Sequence, residues 1–144
     1  MADWELTARE RVRDTYAAYN HAGDRFRLAD LAACFTEDGV LEVRGSGRAV
    51  GRAAIVAMLS GARRDPAPGD EVPRIRHFVA NIAFTEMAQE QVGASAYFQV
   101  LTQHGLDHWG RYRDVLVPDG DRWLLAQRQV VVDGMVPGGW YASG

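Results

Sequence analysis

Residues 75–133 read IRHFVANIAFTEMAQEQVGASAYFQVLTQHGLDHWGRYRDVLVPDGDRWLLAQRQVVVD and hold four extended segments in a row. These run over 75–87, 92–103, 108–117 and 123–133. Gly93, Gly105 and Asp119-Gly120 fall at the junctions, as antiparallel hairpins require. Each segment exceeds the usual strand of about 5–6 residues. Strands this long twist and coil, so the sheet is expected to wrap around something.

Upstream, the period is helical. Trp4, Ala8, Val12, Tyr16 and Tyr19 recur every three or four residues and define one buried helix face. Thr7 with Glu10 offers a capping box, and Asp3 is an alternative cap. The helix is expected to end near residues 20–23. A shorter helix follows, burying Leu28, Leu31 and Phe35, and Thr36-Glu37-Asp38-Gly39 reads as a turn. The period then changes to two: Val40-Leu41-Glu42-Val43 is a first strand and Gly45-Ser46-Gly47 a tight reversal. Residues 51–59 predict a third helix that buries Ile55, Met58 and Leu59 and stops at Gly61. The polar, proline-rich stretch 63–73 is expected to be a loop over a pocket mouth. Helices first and a meander of strands afterwards give an α+β fold, not alternating βαβ units. The chain is expected to be one domain over 1–144, with 134–144 a loose tail whose Trp140 and Tyr141 dock on the body or on a second subunit.

Composition narrows the function. Apolar residues make up 47% of 144, enough for a packed core, and the net charge is -3 with no basic stripe. Nucleic acid is therefore not an expected partner. No apolar run approaches the roughly 20 residues of a membrane span, so no membrane partner is expected either. The acidic N-terminus lacks the order of a signal peptide, and Cys34 is the one cysteine, which excludes an internal disulfide. A cytoplasmic setting fits.

The residues with chemistry are few. Asp24 lies at the bend after the first helix, and His77 lies in a strand whose alternation puts His77, Val79 and Asn81 on one face. A histidine held by a carboxylate is a good general base near neutral pH. Alternatively, Asp24 caps the second helix and His77 is an ordinary half-buried histidine. Tyr19, on the buried stripe near the helix end, either meets a pocket or packs in the core. Arg128, flanked by Ala126 and Val130, asks for an anion: a leaving group, or an internal acid such as Asp114 or Glu42. Tyr16, Val79, Asn81, Tyr97 and Tyr112 are the candidates to contact a ligand. His104 and His108, with Asp107 between them, bracket Gly105 in a hairpin and lack a third ligand by spacing, so no metal is expected. Neither a dinucleotide fingerprint, a P-loop nor a nucleophile elbow is present.

Four segments in this order carry a resemblance: YNHAGDRFRLADLAACF (19–35), residues 40–51, RHFVANIAF (76–84) and GRYRDVLVPDGDRWLLAQRQVVVDG (110–134). Together they resemble the SnoaL-like branch of the NTF2-like, or ketosteroid-isomerase-like, superfamily over nearly the whole chain. The resemblance implies a cone-shaped α+β barrel of the NTF2-like or cystatin-like kind. In it, three helices from the N-terminal half pack on a strongly curved, mixed, mostly antiparallel sheet. The pattern is similar to hexachlorocyclohexane dehydrochlorinase, scytalone dehydratase and bile acid 7α-dehydratase. Those lyases take a proton from carbon with an Asp–His pair while a neighbouring group departs. The resemblance places Asp24 and His77 at that pair, Tyr19 at a polar active-site position, and Arg128 at an arginine proposed to assist the leaving group. It implies no cofactor, a small apolar substrate such as a steroid, terpenoid, polyketide or aromatic, and a homo-oligomer, dimer or trimer. Two alternatives stay open: a non-catalytic binding or assembly module, and a polyketide cyclase or epoxide hydrolase on the same fold.

Overall fold

The structure, a computed structural model, describes residues 1–62 and 65–142. Residues 63 and 64 of the predicted loop, and 143 and 144 of the tail, lie outside the described residues. Helix α1 (Asp3–Asp24) buries Ala8, Val12, Tyr16 and Tyr19, the stripe that the spacing predicts. Its start differs from expectation. Ala2 is the N-cap with no side-chain cap bond, so neither Asp3 nor the Thr7–Glu10 box is used. Asp3 and Glu5 nonetheless sit in the first turn, where negative charge offsets the helix dipole. The end of α1 is set by a Schellman closure. Phe26 takes a left-handed φ of 54°. Its N–H donates to the Gly23 carbonyl at 3.1 Å, and the Arg27 N–H donates to the Ala22 carbonyl at 2.9 Å. That closure turns the chain sharply just after Asp24.

The remaining elements are α2 (Leu28–Ala32), β1 (Phe35–Val43), β2 (Gly47–Val50), α3 (Arg52–Gly61), β3 (Arg76–Met87), β4 (Val92–Thr102), β5 (Gly105–Asp119) and β6 (Arg122–Met135). The six strands form one sheet in the order β2-β1-β6-β5-β4-β3. β1 and β6 run parallel and every other pair is antiparallel. The sheet curls around the helices as a cone and is not closed, with β2 and β3 as its edges. Its concave face and the helices share the core, where Val12, Phe35, Leu41, Ile55, Leu116 and Leu125 are fully buried. Burying each such side chain is worth roughly 1.5–3 kcal/mol. No helix among the described residues is long and apolar enough to cross a membrane.

Three local expectations need correction. Residues 36–39 are not a free turn but a register break inside β1, between Phe35 and Val40 on the β6 side. Gly39 is packed so closely there that a Cβ would stand 2.8 Å from the Cβ of Phe35. Gly93 lies within β4, opposite Glu86, and the turn before it is made by residues 88–91. The alternation along β3 also breaks. Asn81 has a φ of 55°, and the register to β4 shifts between Ala80 and Ala83. This bulge turns Asn81 out to solvent and brings Ile82 and Phe84 onto the half-buried face that His77 and Val79 hold.

Gly110 marks the tightest approach on the sheet. A Cβ there would lie 2.9 Å from the Phe98 ring and against the Val131 carbonyl. Gly61, at the exposed end of α3, has nothing within 4 Å. We expect Gly110→Ala to cost about 1–3 kcal/mol through overpacking. Gly61→Ala is expected to be neutral or slightly stabilising, because alanine is the better helix former. Denaturant unfolding of the two variants checks this, and equal stabilities would contradict it.

Candidate active site

A cavity of about 650 Å³ opens between the helices and the concave face. Tyr19 of α1, Leu41 of β1, Met58 of α3, Phe98 of β4 and Val130 of β6 give it a largely apolar wall. Two histidines interrupt that wall, His77 from β3 and His108 from β5.

His77 is held by Asp24. The Schellman turn leaves the Asp24 carboxylate facing the first residues of β3. There Oδ1 lies 2.5 Å from His77 Nδ1. The His77 backbone N–H donates to both carboxylate oxygens, at 3.2 and 3.1 Å. Three bonds to one carboxylate fix both the ring and the strand that carries it. Because the carboxylate accepts, Nδ1 carries the proton and Nε2 is the free acceptor. Asp24 is not the cap of α2, whose N-cap is Arg27 with no side-chain bond.

Arg128 finds its anion inside the protein. Its Nε and Nη2 donate to Asp114 at 2.8 and 2.9 Å, and both side chains are fully buried. The Tyr16 hydroxyl donates to the same carboxylate. The guanidinium lies 4.7, 4.2 and 3.8 Å from the ring centres of Tyr16, Tyr19 and Tyr112. Arg128 therefore stands behind Tyr19 and Tyr112 and does not itself line the cavity. Burial raises the ionisation of the Tyr19 and Tyr112 hydroxyls above the ordinary 10, so both remain proton donors. Tyr112 spends its proton on Asn20 Oδ1 at 3.3 Å.

The other expected ligand contacts divide. Tyr112 lines the cavity, whereas Tyr16 lies behind its wall and Val79 packs against the core. Asn81 and Tyr97 do not reach it. The bulge turns Asn81 away, and Tyr97 lies on the outer face of β4. That outer face exposes Phe78, Tyr97, Leu106 and Trp109. His104 is exposed and meets Glu71 at 2.8 Å. Among the described residues no group of three or more histidine, cysteine or acidic side chains is placed to hold a metal ion.

His108 lines the cavity as well, where its sequence position suggests only a pair with His104 across a hairpin. It shares the inward phase of Gly110, Tyr112 and Asp114 along β5, but its place beside Gly105 suggested a hairpin tip. The strand in fact begins at Gly105, so His108 lies inside it on the inward phase and not at its first residue beside a hairpin. Its Nδ1 lies 2.8 Å from Asp107 Oδ2. Asp107 also accepts the backbone N–H groups of Trp140 and Tyr141, at 2.6 and 3.1 Å. The tail is thus tied to the body at residues 140 and 141, and the Tyr141 ring stacks on His108 at 4.4 Å.

The SnoaL-like domain family matches residues 4–129. The chain belongs to this SnoaL-like family. Among solved structures, it is similar to a Catenulispora acidiphila protein in complex with S-DNPA. That pair shares 32% identity over 86% of this chain and 92% of that one, with a TM-score of 0.73. Streptomyces coelicolor ActVI-ORFA is similar at 28% identity, over 86% and 96% of the two chains, with a TM-score of 0.75. A Novosphingobium aromaticivorans protein provisionally named a scytalone dehydratase shares the fold at 19% identity, over 94% and 91%, with a TM-score of 0.78. A comparison with curated proteins gives no match.

Two outcomes follow for this SnoaL-like site. Asp114→Ala leaves a buried guanidinium unpaired and is expected to cost about 3–5 kcal/mol. Asp133→Ala breaks a partly exposed pair with Arg111 (3.0 Å) and is expected to cost less than about 1 kcal/mol. Equal losses in denaturant unfolding would contradict this. Separately, burial lowers the His108 ionisation below its ordinary 6.5, against the opposing pull of Asp107 and helped by nearby His77. The unfolded chain then takes up a proton at His108 before the folded one does. Stability is expected to fall as the pH drops below 6.5 towards the lowered folded-state value. Melting curves of His108→Gln should show a smaller drop between neutral and mildly acidic pH. An unchanged drop would refute the assignment.

Proposed function

We propose that this SnoaL-like protein is a cofactor-free lyase or isomerase acting on a small apolar molecule, with His77 as the base. The observation that carries this reading is the Asp24–His77 contact of 2.5 Å at the wall of an apolar cavity. A proton leaves a carbon next to an electron-withdrawing group and bonds to His77 Nε2. Asp24 holds the ring and stabilises the imidazolium that forms. Tyr19, kept protonated by burial, donates a hydrogen bond to the developing oxyanion or to the departing group. In a dehydration, the C–O bond breaks, the leaving oxygen takes up the proton that His77 removed and departs as water, and His77 returns to its neutral form. Arg128 acts from behind the wall, holding Tyr19 and Tyr112 through its face contacts. The Catenulispora acidiphila relative, solved in complex with S-DNPA, supports a ligand-binding reading of this fold.

The chemistry can be tested before the natural substrate is known. The wild type is expected to accelerate exchange of the acidic C–H of 2-tetralone for deuterium, followed by NMR. His77→Ala should lose about 100- to 10,000-fold of that acceleration while keeping its fold by circular dichroism. Asp24→Asn should lose most of it. If neither 2-tetralone nor a panel of hydroxylated and halogenated apolar compounds reacts faster than in buffer, or if His77→Ala matches the wild type, the lyase reading falls. The binding-module reading then replaces it.

A further inference from the structure

We propose that His108, held by Asp107, is a second proton acceptor in the same cavity, and that it receives the hydroxyl of a phenol- or enol-bearing ligand. This extends the lyase reading by naming a second functional group on the ligand.

The two histidines are built alike. In each, Nδ1 is bound to a carboxylate, at 2.5 Å for His77 and 2.8 Å for His108. In each, Nε2 has no hydrogen-bond partner among the described residues, and both rings line the cavity. The rings stand 6.5 Å apart and perpendicular, so they address different atoms of one ligand. Phe98 completes a triangle with them, 6.3 Å from the His77 ring and 6.1 Å from the His108 ring. It offers an apolar floor to whatever bridges them.

The surroundings of His108 set what it binds. Its side chain is 7% exposed and that of Asp107 is 3% exposed. With Nδ1–H donated to Asp107, a neutral ring presents only a lone pair at Nε2. A lone pair in an apolar cavity selects a donor, and an aliphatic ligand leaves it unsatisfied. Tyr141 stacks on the ring at 4.4 Å and covers one of its faces. The Asp107 carboxylate is itself hydrogen-bonded to the tail, so ring, carboxylate and tail are joined by contacts. When the ligand reacts, its O–H bond breaks and the proton forms an N–H bond at Nε2. The oxygen keeps the electron pair, and Asp107 stabilises the imidazolium. The atoms balance without a co-reactant.

The experiment is binding alone. Titration calorimetry would compare 2-naphthol with 2-methylnaphthalene, which replaces the hydroxyl by a methyl group. The wild type is expected to prefer 2-naphthol by about 10- to 100-fold, the worth of one satisfied buried acceptor. His108→Phe should bring the preference close to unity while still binding 2-methylnaphthalene. His77→Phe is the comparison variant, because His77 carries the other free Nε2 in the cavity. Should His108→Phe fail to fold, the ¹⁵N resonance of His108 Nε2 in the wild type reports the same contact, shifting when 2-naphthol is added and not when 2-methylnaphthalene is. A preference unchanged in His108→Phe, one lost only in His77→Phe, an unmoved resonance, or no binding of either compound would overturn the proposal. Because this readout needs no turnover, a positive result here with no C–H exchange would leave His108 as a hydroxyl site and remove only the lyase reading.

Discussion

A fully buried arginine is an expensive thing to place in a protein, and Arg128 has almost no freedom in how its charge is met. Its bidentate pair with Asp114 spans the β5–β6 ladder, where the two residues are direct partners. The rest of the guanidinium is packed against three tyrosine faces, two of them from α1. Removing two ions from water costs several kcal/mol each, and only close geometry with further hydrogen bonds offsets it. Tyr16 supplies one such bond to Asp114, which ties the helix to the sheet at this point. The helix can therefore neither slide nor rotate on the sheet without exposing a charge to an apolar wall. Thr15 adds a second fixed point through its bond to the Trp123 carbonyl at 2.5 Å.

That anchor reaches the candidate site through α1. Tyr16 sits two turns before the end of the helix, and Asp24 is its last residue. With the helix fixed at Tyr16 and Tyr19 and closed by the left-handed Phe26, the Asp24 carboxylate has one direction left, towards β3. The strand answers with the backbone N–H of His77 as well as its ring. A histidine held at three points loses little entropy when it acts, which is what a base in a preorganised site needs.

How much of this was legible from the sequence depends on whether a feature is periodic. The α1 stripe and the long strands repeat, and repetition survives small local errors. The Asp24–His77 contact was reachable because both residues lie at element ends, where a turn and a strand start meet. The misses have one cause: period two holds only until a bulge. One left-handed residue at position 81 reversed the facing of everything after it in β3. Asparagine tolerates that conformation better than most residues, so the signal existed but was weak. Tyr97 was misassigned because an aromatic in a strand fits either face, and its strand neighbours Ala96 and Phe98 are the buried ones. The internal partner of Arg128 stayed ambiguous because register between β5 and β6 decides it, and register depends on the two-residue turn after Asp119.

The two histidine–carboxylate pairs look redundant by residue type, yet their anchors differ in a way that separates them. Asp24 gives all its observed bonds to one residue, so whatever charge His77 takes up is met by that carboxylate directly. Asp107 divides its bonds between His108 and two backbone N–H groups of the tail. Asp107 still favours a cationic His108, through its hydrogen bond and its charge. Burial then tips His108 towards its neutral form. The docked tail closes a wall of the cavity. Its bonds to Asp107 and the stacking of Tyr141 set residues 140 and 141 against His108, and burial is what lowers the ionisation of that ring.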